Sequence, residues 1–118
     1  MNWNILQEES QLESITQESF VKPILIFKHS TTCSISHAAF SRLERSWNDT
    51  EHSTIIKPYY LDLLKLRPIS NKIAETFRVI HESPQAIIIK DGKAIYNASH
   101  FDIRLDSILS EAISNSQA

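Results

Sequence analysis

Apolar and polar positions along this chain fall into short blocks with two rhythms. Trp3, Ile5 and Leu6 predict a short edge strand. EESQLESITQES then spaces Leu12 and Ile15 three apart among polar residues, the pattern of a short amphipathic helix. Pro23 opens PILIFK, whose density of branched and aromatic residues predicts a buried central strand. In the following stretch Ala39, Leu43 and Trp47 recur at intervals of four and Phe40 widens the stripe, so a helix packs one face on a sheet. The hydroxyls of Thr31 and Thr32 can cap that helix, which places Cys33 in its first turn.

The rest of the chain continues the alternation. NDTEHS breaks the pattern and reads as a loop. TIIKPYYLDLL predicts a strand in which Pro58 removes one ladder donor, so the strand is near an edge or bulged there. RPISNKIAETFRV places Ile69, Ile73, Ala74 and Phe77 on helical spacing, with Pro68 in the first turn. IHESPQAIIIKDGKAIYNAS predicts two strands joined by a tight turn at Asp91-Gly92. FDIRLDSILSEAIS predicts a final amphipathic helix, with Asp102 as its cap or first-turn acid. Right-handed crossovers make the first three strands parallel. The expected architecture is one α/β domain over residues 1–118. Its mixed sheet has about five strands, three parallel and two in a C-terminal antiparallel hairpin, flanked by about four helices.

Composition narrows the function. At 118 residues, 42% apolar and 22% charged, the chain can build an ordinary core without staples. A net charge of -2 and the lack of a Lys/Arg cluster give no reason to expect nucleic acid. There is no basic-then-apolar leader and no apolar run of membrane-spanning length, so a cytoplasmic protein without membrane association is expected. Gly92 is the only glycine, which excludes Gly-rich phosphate loops, dinucleotide fingerprints and the G-x-S-x-G elbow. A single cysteine excludes an internal disulfide framework.

That cysteine carries the candidate chemistry. Cys33 follows a parallel strand at the start of a helix, where free amides and the helix dipole favour thiolate over thiol. Lys28 and His29 upstream, and His37 one turn on, are available to add positive charge. Ser36 stands where a C-x-x-C motif has its second thiol. Serine cannot resolve a mixed disulfide, yet it can donate a hydrogen bond to the sulfur, so the spacing fits exchange by one thiol. A buried, inert Cys33 and a merely tolerated Ser36 are the plainer alternatives. Ser83-Pro84 stands just before a strand. In a cis form it would expose the Ser83 backbone beside the cysteine, ready to pair with an extended substrate; in a trans form it merely starts the strand.

This layout resembles the thioredoxin fold. KHSTTCSIS together with SPQAIIIKDGKAIY closely resembles the monothiol bacilliredoxin (YtxJ-like) family, over nearly the whole chain. The family's usual Thr-Cys-Pro-Ile-Ser is matched by Thr32, Cys33, Ile35 and Ser36, with Ser34 in place of proline at what reads as the second helical position. Ser34 restores an amide that proline would delete. The resemblance implies a redox-active protein of oxidative stress. Cys33 would remove bacillithiol from mixed disulfides, with Ser36 beside it and Thr32, Ser34, Ser83 and Pro84 contacting substrate. It implies no bound cofactor. Bacillithiol or a similar small thiol would be co-substrate, thiolated proteins and a downstream disulfide reductase would be partners, and the protein would be a monomer.

Three rivals stand beside this reading. A dimer could share an iron–sulfur cluster, as a monothiol glutaredoxin-like protein would, but each chain brings one thiolate. His29, His37, His52, His81 and His100 are scattered rather than paired as in a zinc site, and no metal is expected. A non-catalytic adaptor could keep the scaffold alone. Acid–base hydrolysis lacks a carboxylate pair at one site, since Asp62, Glu75, Glu82 and Asp106 read as solvated surface.

Overall fold

A computed structural model describes residues 1–116. The elements run β1 (Asn4–Ile5), α1 (Gln11–Glu18), β2 (Ile24–His29), α2 (Ser34–Ser46), α3 (Asp49–His52), β3 (Lys57–Asp62), α4 (Arg67–Phe77), β4 (Gln85–Lys90), β5 (Lys93–Ser99), a 3-10 turn (His100–Asp102) and α5 (Leu105–Ser116). The strands form one sheet in the order β1-β3-β2-β4-β5. β1, β3 and β2 are parallel, while β4 runs antiparallel to β2 and β5 to β4.

β2 is the middle strand, and all its residues are buried. Its side chains alternate between two cores, as a strand covered on both faces requires. Ile24 and Ile26 join Leu12, Ile15, Ile69, Ile73 and Phe77 beneath α1 and α4. Leu25 and Phe27 join Ala39, Leu43, Ile103, Ile108 and Ala112 beneath α2 and α5. The Ala39–Leu43 stripe is therefore the buried face of α2.

Two expectations change. NDTEHS is not a simple loop: it contains the one-turn helix α3, whose Asn48 side chain accepts from the Glu51 N–H at 3.0 Å. Asp102 neither caps α5 nor lies in its first turn; it closes the 3-10 turn, and Asp106 is the first-turn acid.

Pro58 shows how a proline enters an inner strand. Alternate residues of β3 face β2, as the Lys57 N–H does in donating to the Pro23 carbonyl. Pro58 therefore faces the other side, where β1 pairs only with Tyr59 and Tyr60. No ladder donor is lost, and the Asn4 side chain donates to the Pro58 carbonyl at 3.0 Å. At the hairpin, Asp91 (φ 53°) and Gly92 (φ 76°) adopt the left-handed angles that a two-residue turn requires. Among the described residues no helix is long and apolar enough to cross a membrane.

Candidate active site

β2 ends opposite the start of β4, since Lys28 pairs with Gln85. Ser30–Cys33 and His81–Pro84 therefore leave the sheet at the same end. The first segment is a tight turn in which the Cys33 N–H donates to the Ser30 carbonyl at 3.1 Å. Cys33 keeps extended angles (φ -104°, ψ 123°) while its carbonyl accepts from the His37 N–H at 3.0 Å. It is thus the N-cap residue of α2 rather than a member of the first turn.

Thr31 and Thr32 lie outside the helix, exposed, and neither caps it. The position that a capping side chain would fill belongs to Cys33 itself. Ser34 becomes the first helical residue, exposed beside the half-buried thiol. At that position a proline would remove an N–H that the helix leaves unpaired in any case. Among the described residues, the N–H groups of Ser34, Ile35 and Ser36 have no acceptor.

Ser36 turns inward and is fully buried. Its hydroxyl accepts from the Ser30 N–H at 2.9 Å and shares a 2.6 Å hydrogen bond with His29 Nδ1. The expected hydrogen bond from Ser36 to the sulfur is not formed, because both partners of the hydroxyl lie at the end of β2. His29 itself lies among rings, with centroids of Phe40, Phe27 and Tyr60 at 5.2, 5.7 and 5.7 Å. Burial lowers its pKa and the neighbouring His37 adds to that effect, against a smaller pull from Asp62. His29 therefore brings no positive charge to the thiol. The exposed His37 donates from Nε2 to the Thr31 carbonyl at 2.7 Å and fastens the turn instead.

Lys28 faces the opposite side of the sheet. It is fully buried, and its ammonium donates to the Ser70 carbonyl and to His81 Nδ1, both at 3.2 Å. Burial pushes its pKa down to about 8. His81 is also held below the usual histidine range, by burial first and then by Lys28 and Arg67, with Glu82 opposing. Lys28 thus ties β2 to α4 and to the segment leading into Ser83, and does not support the sulfur directly.

The Ser83-Pro84 bond is cis. Gln85, buried just after it, donates to the Ile80 carbonyl at 3.0 Å and accepts from the Glu82 N–H at 3.3 Å. The Pro84 carbonyl accepts from the His100 N–H at 3.3 Å. Ser83 is half-buried, and among the described residues its N–H and carbonyl are unpaired. An extended chain can pair with those groups as another strand would.

Sequence reasoning did not find Gln85, Ser70 or the ring cage around His29, and it weighed His81 only as a metal ligand rather than as the partner of Lys28. The one local signal was polar Gln85 opening the apolar strand AIII. The other contacts join residues far apart in the chain. Among the described residues no group of three or more His, Cys, Asp or Glu is placed to hold a metal.

Comparison with known proteins agrees with this geometry. A family model described as monothiol bacilliredoxin BrxC matches residues 4–108. A solved structure of a candidate oxidoreductase with a thioredoxin fold is 32% identical, covers 91% of this chain and 90% of its own, and superposes with a TM-score of 0.77. Thioredoxin from Malassezia sympodialis is 20% identical, with 99% of this chain and 92% of that chain covered and a TM-score of 0.73. Thioredoxin from Trypanosoma brucei brucei is 14% identical, with 99% and 93% covered and a TM-score of 0.71. These last two show the fold, and the sheet described above is that of thioredoxin.

Proposed function

Since this chain belongs to the monothiol bacilliredoxin family, whose thioredoxin-like fold supports a thiol redox role, we propose that it removes bacillithiol, or a closely similar small thiol, from protein mixed disulfides. The observation that carries the proposal is the pairing of Cys33, half-buried at the N-cap of α2, with a buried hydroxyl three residues on where a second thiol would resolve it. The Cys33 thiolate attacks the small-thiol sulfur of the mixed disulfide. That S–S bond breaks, a Cys33–small-thiol disulfide forms, and the substrate protein leaves as a thiolate that takes a proton from water. A second small-thiol thiolate attacks the new disulfide, freeing Cys33 and releasing the symmetric small-thiol disulfide. The net change transfers the oxidised state from protein to small thiol, and a downstream reductase consumes it. Free amides at the start of α2 favour negative charge beside them. The unpaired Ser83 backbone aligns the substrate chain. We place this activity in the cytoplasm, with no bound cofactor and with the protein acting as a monomer.

The test offers reduced protein a bacillithiolated and a glutathionylated substrate, with Cys33→Ser alongside. Faster release from the bacillithiolated substrate, lost in the variant, is expected. Equal rates with both would overturn the choice of small thiol, and release that survives Cys33→Ser would overturn the mechanism.

A further inference from the structure

A cleft of about 650 Å³ opens between α2 and the start of α5, away from the thiol. Its walls carry Arg42, Arg45 and Arg104, against a single carboxylate, Asp106. That concentration stands out in a chain whose net charge is -2. Among the described residues, no carboxylate lies within ion-pair distance of Arg42 or Arg45. One guanidinium nitrogen of Arg42 donates to the carbonyls of His100 and Ile103, at 3.4 and 3.1 Å, which orients the side chain with neutral partners and no carboxylate. Asp106 is turned onto Arg104 and the Ser107 N–H. The first turn of α5 also borders the cleft and adds its positive dipole end. Leu105 and Leu109 contribute apolar lining, and Phe101, 69% exposed, stands beside them.

The cleft is linked to the candidate site through the backbone of His100. The His100 N–H is bonded to the Pro84 carbonyl, and the His100 carbonyl to Arg42. Along α2, Arg42 lies about 12 Å from Ser34 at about 1.5 Å per residue. An extended polypeptide covers that span in about four residues. We propose that this cleft binds an acidic segment of the thiolated protein substrate, lying about four or more residues from the substrate's reactive cysteine. The proposal rests on the function given above and names what selects the substrate: carboxylates against the arginines and an apolar side chain against Phe101.

Binding and turnover separate the two claims. A fluorescent peptide with one cysteine followed, about four residues on, by a run of glutamates is titrated against the Cys33→Ser protein; its control carries glutamines. By fluorescence anisotropy at about 20 mM salt the acidic peptide should bind roughly tenfold more tightly. The difference should collapse at about 200 mM salt and vanish in Arg45→Glu/Arg104→Glu, which leaves the Arg42 bonds in place. Equal affinities at low salt, or a preference that survives the double reversal, would overturn the proposal. The same peptides joined to the small thiol then report turnover by the Cys33-containing protein. Binding preference without release from either peptide would overturn the exchange function and leave the cleft assignment standing.

Discussion

The two faces of the central sheet each bury an ionisable side chain, one residue apart on β2, and treat it differently. His29 is enclosed by rings, and its Nδ1 is paired with the Ser36 hydroxyl, which can donate or accept, so a neutral imidazole is satisfied at that nitrogen without a charged partner. Lys28, on the aliphatic side, has a carbonyl and a histidine nitrogen but no carboxylate. It keeps a charge that its surroundings do not neutralise, and its pKa falls to about 8. The contrast separates two jobs at one end of the sheet. The His29 face holds the turn that carries Cys33 without charging it. The Lys28 face braces the loop before cis Pro84 at a cost in stability.

The largest expected effect breaks the one-thiol arrangement on the His29 face. Ser36→Cys puts a second thiol beside His29, one helical turn from Cys33. Internal attack replaces attack by an external thiol, so the Cys33–small-thiol intermediate should decay on the order of a thousandfold faster. Mass spectrometry of quenched reactions should find the intermediate in wild type and, in the variant, an internal disulfide between Cys33 and the introduced thiol. An intermediate equally persistent in both would remove the reason given for serine at this position.

Next is Lys28→Met, which fills similar space without a charge. Lys28 has a folded pKa of about 8 against 10.5 for the free side chain. Below the folded value both folded and unfolded states hold the proton, and the fold bears the full burial penalty. Between these values the unfolded chain holds more protons, so wild-type stability rises with pH. The variant should therefore be more stable by about 3 kcal/mol at neutral pH, with a gain that shrinks toward zero as pH approaches the unfolded value. Urea unfolding of both proteins across that range checks this. A gain independent of pH would mean that packing, not charge, is responsible.

These contrasts also mark what could be read from the chain. PILIFK, Pro68 and Asp91-Gly92 announce their elements locally, through side-chain branching, the absent N–H and the tolerance of left-handed angles. The Asn48–Glu51 cap was legible too, but a helix of one turn carries no apolar periodicity. Thr31 and Thr32 misled because they are good capping residues that stand just ahead of the true N-cap; the turn set by Ser30 and Cys33 decides where α2 begins. That Cys33 starts a helix and that Ser36 follows three residues on were visible in order alone. Which way Lys28, His29 and Ser36 point was not, since it depends on register and on His81, 53 residues from Lys28.

A smaller effect compares the two serines that serve these faces. Ser36→Ala leaves the buried Ser30 N–H without an acceptor and His29 Nδ1 without a partner, and should cost about 2 kcal/mol. Ser70→Ala retains the carbonyl that Lys28 uses and loses only a 3.4 Å contact to His81, so it should cost under about 0.5 kcal/mol. Equal losses in urea unfolding would show that the hydroxyl of Ser36 is not what holds the turn.

The smallest effect is confined to acid. Burial holds the His29 pKa below its ordinary 6.5. Above that value neither folded nor unfolded protein carries the proton, and stability does not depend on this group. Below it the unfolded chain binds the proton first, so stability falls with pH until the folded form titrates as well. His29→Phe keeps a ring in the cage of Phe27, Phe40 and Tyr60 but leaves Ser36 with one partner fewer, a baseline loss of about 1 kcal/mol near neutrality. Because the variant lacks the titrating group, that deficit should narrow as pH drops below 6.5. His81 has a lowered pKa from the Lys28 side and remains in the variant, so part of the acid slope should persist. Adding His81→Asn should flatten it further. A deficit that stays constant from neutrality into acid would mean that His29 is not buried as the neutral imidazole, and the distinction between the two faces would fail at its most sensitive point.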